Sequence, residues 1–408
     1  MLAIAGACAS PHTAPVPLPP GVPVVTERAL RIYRDAVVID THNDMPTKML
    51  DDAYDADIRH PPGFAPGQGN TDLPRLIESG MTAEFLSAWV DAPYAHRHGD
   101  SFARALRYVE TIRAFASRHP DALRFATTAA EVRAAKQNHR VAILIGVEGG
   151  HAIEASLDNL RELYARGARY MTLTWNNGNP WAGSSIGVDG TRKTGLSPFG
   201  RSVIHEMNRL GMLVDISHVS DSTFYDVLAT SAAPVIASHS SARAINDVPR
   251  NLSDDQLRAI ARNGGVVNIN FYSRFVDPVY RARAEEVDRA VARERRTLAP
   301  RGDSSATRAR MAALRDSLLA AIPPTPFATL IEHFVHVARV AGVDHVGIGS
   351  DFDGVTALPS GMEDVTALPR IAQALLDGGY TDADVTKMLG GNMLRVMTRV
   401  LDRPPVVP

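Results

Sequence analysis

Six residues of metal-ligand type stand at the ends of short apolar runs. His42 and Asp44 follow Val37-Val38-Ile39, Glu148 follows Val141–Ile145, His218 follows Leu213–Ile216, His239 follows Pro234–Ala237, and Asp351 follows His345–Gly349. Short apolar runs are how buried strands read in a sequence. One polar residue at a strand end is ordinary. Five strands that all end this way point to one shared site, because a closed parallel barrel gathers the C-terminal ends of its strands on one face. Three imidazoles and three carboxylates suit two divalent cations, zinc foremost. Such ions lower the pKa of water from about 15.7 towards about 7 and polarise a carbonyl, which is hydrolytic chemistry. No serine or cysteine nucleophile competes: the lone cysteine, Cys8, is in the N-terminal tail, and the G-x-S-x-G string at Gly183–Gly187 does not run directly into a helix.

Taken singly, the residues divide unevenly between chemistry and structure. His42 and Asp44 are spaced i, i+2, so on an extended strand both reach one side, although an isolated HxD caps a turn as readily. Glu148 precedes Gly149-Gly150, and a carboxylate closing a buried strand needs a partner, an arginine or a metal pair bridged by its two oxygens. His218 and His239 lie on successive strands among small hydroxyl residues, which favours ligands over core histidines. Asp351 follows the last strand, where a carboxylate can carry a proton from water to a leaving group. His151 reads as a loop histidine bonded to backbone, Asp353 as a turn residue before Gly354, and His96, His119 and His336 as surface residues.

These residues need a frame. Three further apolar runs, Met81–Val90, Tyr170–Thr174 and Gly265–Phe271, bring the strand candidates to about eight. Helix-like stretches separate most of them, for example Asp158–Arg166, Gly200–Leu210, Asp254–Asn263 and Thr329–Ala341. Alternation of this kind predicts a parallel α/β sheet, and eight repeats predict closure into a (β/α)8 TIM-type barrel. An open doubly wound sheet would place a glycine-rich turn after the first strand, where His42-Asn43-Asp44 stands instead. Before the last strand, residues 274–324 are long, charged and rich in Arg, Ala and Glu. They read as a helical insertion with exposed helices over 284–296 and 305–321.

Composition narrows the classes. The chain has 408 residues, 45% of them hydrophobic, enough for one large core. A net charge of −2 without long runs of one sign gives no footprint for nucleic acid. One cysteine excludes an intrachain disulfide and a cysteine-based zinc cluster. Residues 1–26 read as a signal-like or Pro-rich segment ahead of a barrel domain over 27–408. Ala5-Gly6-Ala7-Cys8 is similar to the end of a bacterial lipoprotein signal, although the basic start and full apolar stretch are missing. The expectation is a bacterial envelope or periplasmic protein with a lipid anchor at Cys8, a cytoplasmic protein being the alternative. A homodimer is expected without a sequence signal of its own.

The strings VIDTHNDMP (38–46), TDLPRL (71–76), GVEGGHAI (146–153), RYMTLTWNN (169–177), DISHVS (215–220), ASHSSAR (237–243), PRNLSDD (249–255) and GIGSDFDGV (347–355) resemble the membrane (renal) dipeptidase family of the amidohydrolase superfamily. With GMEDV and GGNMLRV downstream, the resemblance runs from about Val37 to Val400. It implies a (β/α)8 barrel with two Zn2+ ions that cleaves dipeptides. By motif position, His42, Asp44 and Glu148 hold one zinc, Glu148 bridges to the second, held with His218 and His239, and Asp351 is the proton shuttle. Arg250 matches an arginine that receives the substrate carboxylate, as its planar fork suits. The chain departs from the pattern once. Where the family has a histidine after Thr-Leu-Thr, this sequence has Trp175, followed by Asn176 and Asn177, so the oxyanion contact falls to an indole or to a neighbouring asparagine. Two alternatives stand beside the dipeptidase: an amidohydrolase acting on another amide or lactam, and a zinc-binding barrel with lost or minor catalysis.

Overall fold

Residues 18–96, 99–187, 194–298 and 305–402 are described in this computed structural model. Nine strands follow one another: β1 (Ile39–Asn43), β2 (Ala83–Trp89), β3 (Leu123–Phe125), β4 (Val141–Glu148), β5 (Ala168–Thr172), β6 (Leu213–Asp215), β7 (Ile236–Ala237), β8 (Val266–Ile269) and β9 (Val346–Ile348). Every pairing between them is parallel. β2 pairs with β4, and β1 pairs with both β2 and β9, so eight strands close into a ring. β3 lies beside the start of β4, below the place where β5 joins. The fold is the expected (β/α)8 barrel. The three-residue β3 was not expected, being too short to leave a periodic signal.

Alternation along the strands sorts the core into two layers. Ile39, Ala83, Phe85, Ala142, Leu144, Tyr170, Leu213, Ile236 and Val266 form a cluster with Met393, Val396 and Met397 of the helix Asn392–Leu401. The other strand face, such as Ile143, Ile145 and Val147 of β4, meets the surrounding helices. On β4 the inward series Ala142, Leu144, Gly146 ends in Glu148, so the strand that fills the barrel also delivers its last side chain to the mouth. Gly146 is required: a Cβ there would fall within 1.9 Å of the Tyr170 ring.

β1 does not keep a plain two-residue alternation. Asp40 pairs with Glu84 and Asn43 with Leu86, so β1 carries one extra residue between them. Such a bulge re-aims a side chain. Asp40, on the same strand face as the helix-packed Val38, points out of the barrel. His42, two residues later, points in.

Between β8 and β9 stand the helices Ser273–Val276, Pro278–Leu298, Ser305–Ala320 and Phe327–Ala341. Asp288 ties the second to the first and third through Arg274 and Arg315, and Tyr280 and Ala284 pack against Ala357. No helix among the described residues is long and apolar enough to cross a membrane. Cys8 lies outside the described residues.

Candidate metal centre and substrate pocket

Each candidate ligand is set by a strand end. Glu148 is the last residue of β4, His42 sits in the β1 bulge, His218 and His239 follow β6 and β7, and Asp351 follows β9. His218, Asp351 and Asp353 adopt left-handed backbone with φ of 67°, 64° and 64°. Non-glycine residues rarely do so, and the surrounding structure must hold them there.

The side chains converge. Glu148 turns its two oxygens to different partners: Oε2 lies 3.4 Å from His42 Nε2, while Oε1 lies 2.9 Å from His218 Nε2 and 3.5 Å from His239 Nε2. Asp44 Oδ2 is 3.3 Å from His42 Nε2, and Asp351 Oδ1 is 4.0 Å from it. The Nε2 atoms of His218 and His239 are 3.0 Å apart. His42, Glu148 and His239 form one group able to grip a cation, and His42, Asp44 and Asp351 form another.

A layer behind these residues fixes their orientation. Tyr170 meets His42 Nδ1 at 2.7 Å, and Ser238 Oγ meets His239 Nδ1 at 2.7 Å. Asp215 accepts from Ser238 Oγ at 2.6 Å and from Thr172. With the δ nitrogens of His42 and His239 occupied, their ε nitrogens are left to face the centre, the arrangement metal-binding histidines need. Asn270 donates to Asp351 Oδ2 at 2.8 Å, leaving Oδ1 towards His42. Gly354 makes room for both aspartates: a Cβ there would lie 2.1 Å from Asp44 Oδ2 and 2.6 Å from Asp351 Oδ1.

The residues present fit a metal. Burial pushes His218 down to about 4 and holds His239 well below its usual range, so both are neutral and can donate lone pairs. Burial also works against a charged Glu148, but His42, His218 and His239 outweigh it and hold the carboxyl well below its usual range. Burial, reinforced by Asp44 and Glu148, pushes Asp351 up to about 8. His42 Nε2 and Asp44 Oδ1 are buried without a hydrogen-bond partner. Carboxylates and neutral imidazoles crowded around orphaned donor atoms call for positive charge, which a divalent cation supplies.

The centre opens into a cavity of about 670 Å³, a size suited to a small ligand. Trp175 and Asn176 line it, and the Trp175 indole stands edge-on to Trp89, with ring centroids 5.1 Å apart. Asn177 turns the other way, towards His151 and the Gly178 carbonyl. Arg250 is buried, with its guanidinium bonded to Ser240 Oγ and the His239 carbonyl and standing 5.3 Å from the Phe275 ring centroid. Its Nε has no partner, and Asp254 and Asp255 pair instead with His336 and Arg258. His151 bonds the Val90 carbonyl, as its loop context predicted. His336 is a correction: it is buried, between Asp254 and Arg339, because its helix turns that face inward. His119 is likewise not free, but partly buried against Asp57.

Sequence reasoning missed Trp89, Asp91, Tyr272 and Phe275 in the pocket wall and Tyr170, Asp215 and Ser238 behind the ligands. The second group is marked only by position: Tyr170 lies on β5, Asp215 ends β6 three residues before His218, and Ser238 directly precedes His239.

The membrane dipeptidase family (Peptidase family M19) matches residues 26–403. Among solved structures, the probable dipeptidase PvdM from Pseudomonas aeruginosa superposes with a TM-score of 0.80 at 24% identity, covering 93% of this chain and 98% of that one. A dipeptidase described as a metallopeptidase of family M19 gives 0.72 at 26% identity, covering 90% and 99%. A metallopeptidase from Rhodobacter sphaeroides, solved with a phosphinate mimic of the dipeptide L-Ala-D-Ala, gives 0.71 at 26% identity, also covering 90% and 99%. With the family matched over nearly the whole chain, and with a barrel and a ligand cluster to accommodate it, this protein belongs to the membrane dipeptidase family, peptidase family M19.

Proposed function

We propose that the protein is a zinc dipeptidase that binds two metal ions, one with His42, Asp44 and Glu148 and one with Glu148, His218 and His239. The observation that carries the reading is the division of Glu148, whose two oxygens face separate imidazole sets. When bound, the metals supply Lewis acidity and an activated water. Arg250 receives the C-terminal carboxylate of the substrate: it is buried, its Nε is unsatisfied, and among the described residues no carboxylate pairs with it. That orients the scissile carbonyl over Glu148. Asp351, steered by Asn270, takes a proton from water and hands it to the leaving amine. Burial already favours its protonated form, which suits the second half of that task. Asn176 lines the pocket and, in this reading, donates to the developing oxyanion, the role that an indole at 175 fills less well. The dipeptide mimic held by the relative from Rhodobacter sphaeroides supports this substrate class.

The test combines elemental analysis with a dipeptide panel, before and after chelation. Two zinc ions per chain and chelator-sensitive release of amino acids are expected. Full activity after chelation, or no release from any dipeptide by metal-loaded protein, would sink the reading.

A further inference from the structure

Asp91 is a carboxylate in the pocket wall that the metal chemistry leaves unused. It follows β2, stands beside Trp89, and is half-buried. One oxygen accepts the Ala92 N–H at 2.7 Å, capping the short 3-10 turn Ala92–His96. No cation pairs with it among the described residues; no lysine or arginine among them lines the cavity, and Arg250 lies behind His239 and Phe275, which do.

Its place in the ring gives it meaning. Going round the barrel from β2, the order is β4, β5, β6, β7, so β2 and β7 are diametrically opposed. Arg250 belongs to the loop after β7, and Asp91 to the loop after β2. Between them lies Glu148, at the centre of the mouth. Asp91 therefore stands on the side of the mouth opposite Arg250, which lies just behind the pocket wall, and the candidate metal centre lies between the two. A dipeptide whose carboxylate sits at Arg250 and whose scissile carbonyl sits over Glu148 must send its N-terminal residue towards β2. There it meets Asp91 and the indoles of Trp89 and Trp175, and aromatic faces attract cations as well as apolar groups.

We propose that Asp91 is a specificity residue that receives a positively charged nitrogen on the N-terminal residue of the dipeptide. Two sources offer that nitrogen: the α-ammonium, or the side chain of a lysine-like residue. The inference rests on the dipeptidase reading for the direction in which the substrate lies.

Asp91→Asn tests it cleanly, because the amide keeps an oxygen for the Ala92 N–H and loses only the charge. kcat/KM is compared for Lys-Ala, Nε-acetyl-Lys-Ala, Ala-Ala and propionyl-alanine. If the side chain is the source, wild type favours Lys-Ala over its acetylated form by about ten-fold, the low end for a charge-assisted bond at a half-exposed site, and the variant loses most of that ratio. If the α-ammonium is the source, the ratio of Ala-Ala to propionyl-alanine collapses instead. Both ratios unchanged by the substitution would overturn the proposal. Dissociation constants for phosphinate mimics of the same four compounds, measured by calorimetry, read the same ratios without turnover. A protein that discriminated among the mimics through Asp91 but hydrolysed nothing would fail as a dipeptidase while upholding Asp91. Mimics bound with no discrimination, or not bound at all, would remove Asp91 from substrate recognition.

Discussion

At the scale of single residues, the candidate centre is defined by what each side chain is prevented from doing. Asn270 holds one oxygen of Asp351, and Gly354 keeps the space beside it clear. Asp351→Asn should therefore retain metal and lose about 10²–10⁴-fold in kcat, since an amide cannot relay a proton. Loss of metal together with activity would make Asp351 a ligand instead. Arg250→Ala should raise KM for dipeptides by about ten- to a hundred-fold and leave C-terminally amidated analogues much less affected. Equal losses on both would assign Arg250 to holding Ser240 and the His239 carbonyl in place. Trp175 packs edge-on to Trp89 in the cavity wall, so Trp175→His should alter relative kcat/KM among small, branched and aromatic dipeptides while zinc content stays constant. A uniform change across substrates would mean that the indole only supports the wall. The candidate ligands, which the fold brings together, stood out in the sequence because imidazoles and carboxylates are costly at the ends of buried strands unless something binds them. Tyr170, Asp215 and Ser238 did not, because a tyrosine or serine in a strand looks the same whether it orients a ligand or merely fills space.

At the scale of elements, the helices around the barrel are fastened by ion pairs as well as by apolar faces. Glu206, on the helix Pro198–Leu210, accepts from Arg209 of its own helix and from Arg161 of the neighbouring helix Leu157–Ala165. The bond to Arg209, followed by that to Arg161 and opposed by partial burial, pulls its carboxyl down to about 2. A carboxyl lowered on folding stabilises the native state at pH values above its unfolded pKa near 4.3. That contribution fades as pH falls through 4 towards 2. Glu206→Gln should thus cost about 1 kcal/mol at pH 7, allowing for screening of the exposed arginines, and almost nothing at pH 2. Urea unfolding at the two pH values checks this, and a gap that persists in acid would trace to packing instead. The alternation of strand and helix was readable because each buried run is bounded by polar helical stretches. The β1 bulge was not, since one extra residue in a strand changes register without changing composition. For the same reason Asp91 and Trp89 were invisible as pocket residues: only the closure of β2 onto β4 turns the end of that strand towards the centre.

At the scale of the whole molecule, β1 pairs with β9, so the first strand of the barrel meets the last, through Asp40 and Ile348. Closing so long a stretch of chain is slow, because its entropy is lost before the contacts that reward it are made. The candidate ligands span the same interval, from His42 to Asp351. In refolding from urea, helical signal by circular dichroism should therefore return before a metal-responsive dye reports zinc uptake, and uptake should coincide with the slowest phase. Zinc captured in the earliest phase would mean that the centre assembles without the ring. The same pairing carries a consequence for how the protein is made. A chain still on the ribosome presents His42 early but lacks β9 until residue 348 has emerged, so a metal offered during synthesis finds an incomplete set of ligands. Loading of the proposed ions thus waits until Asp351 has emerged and β9 has closed the ring.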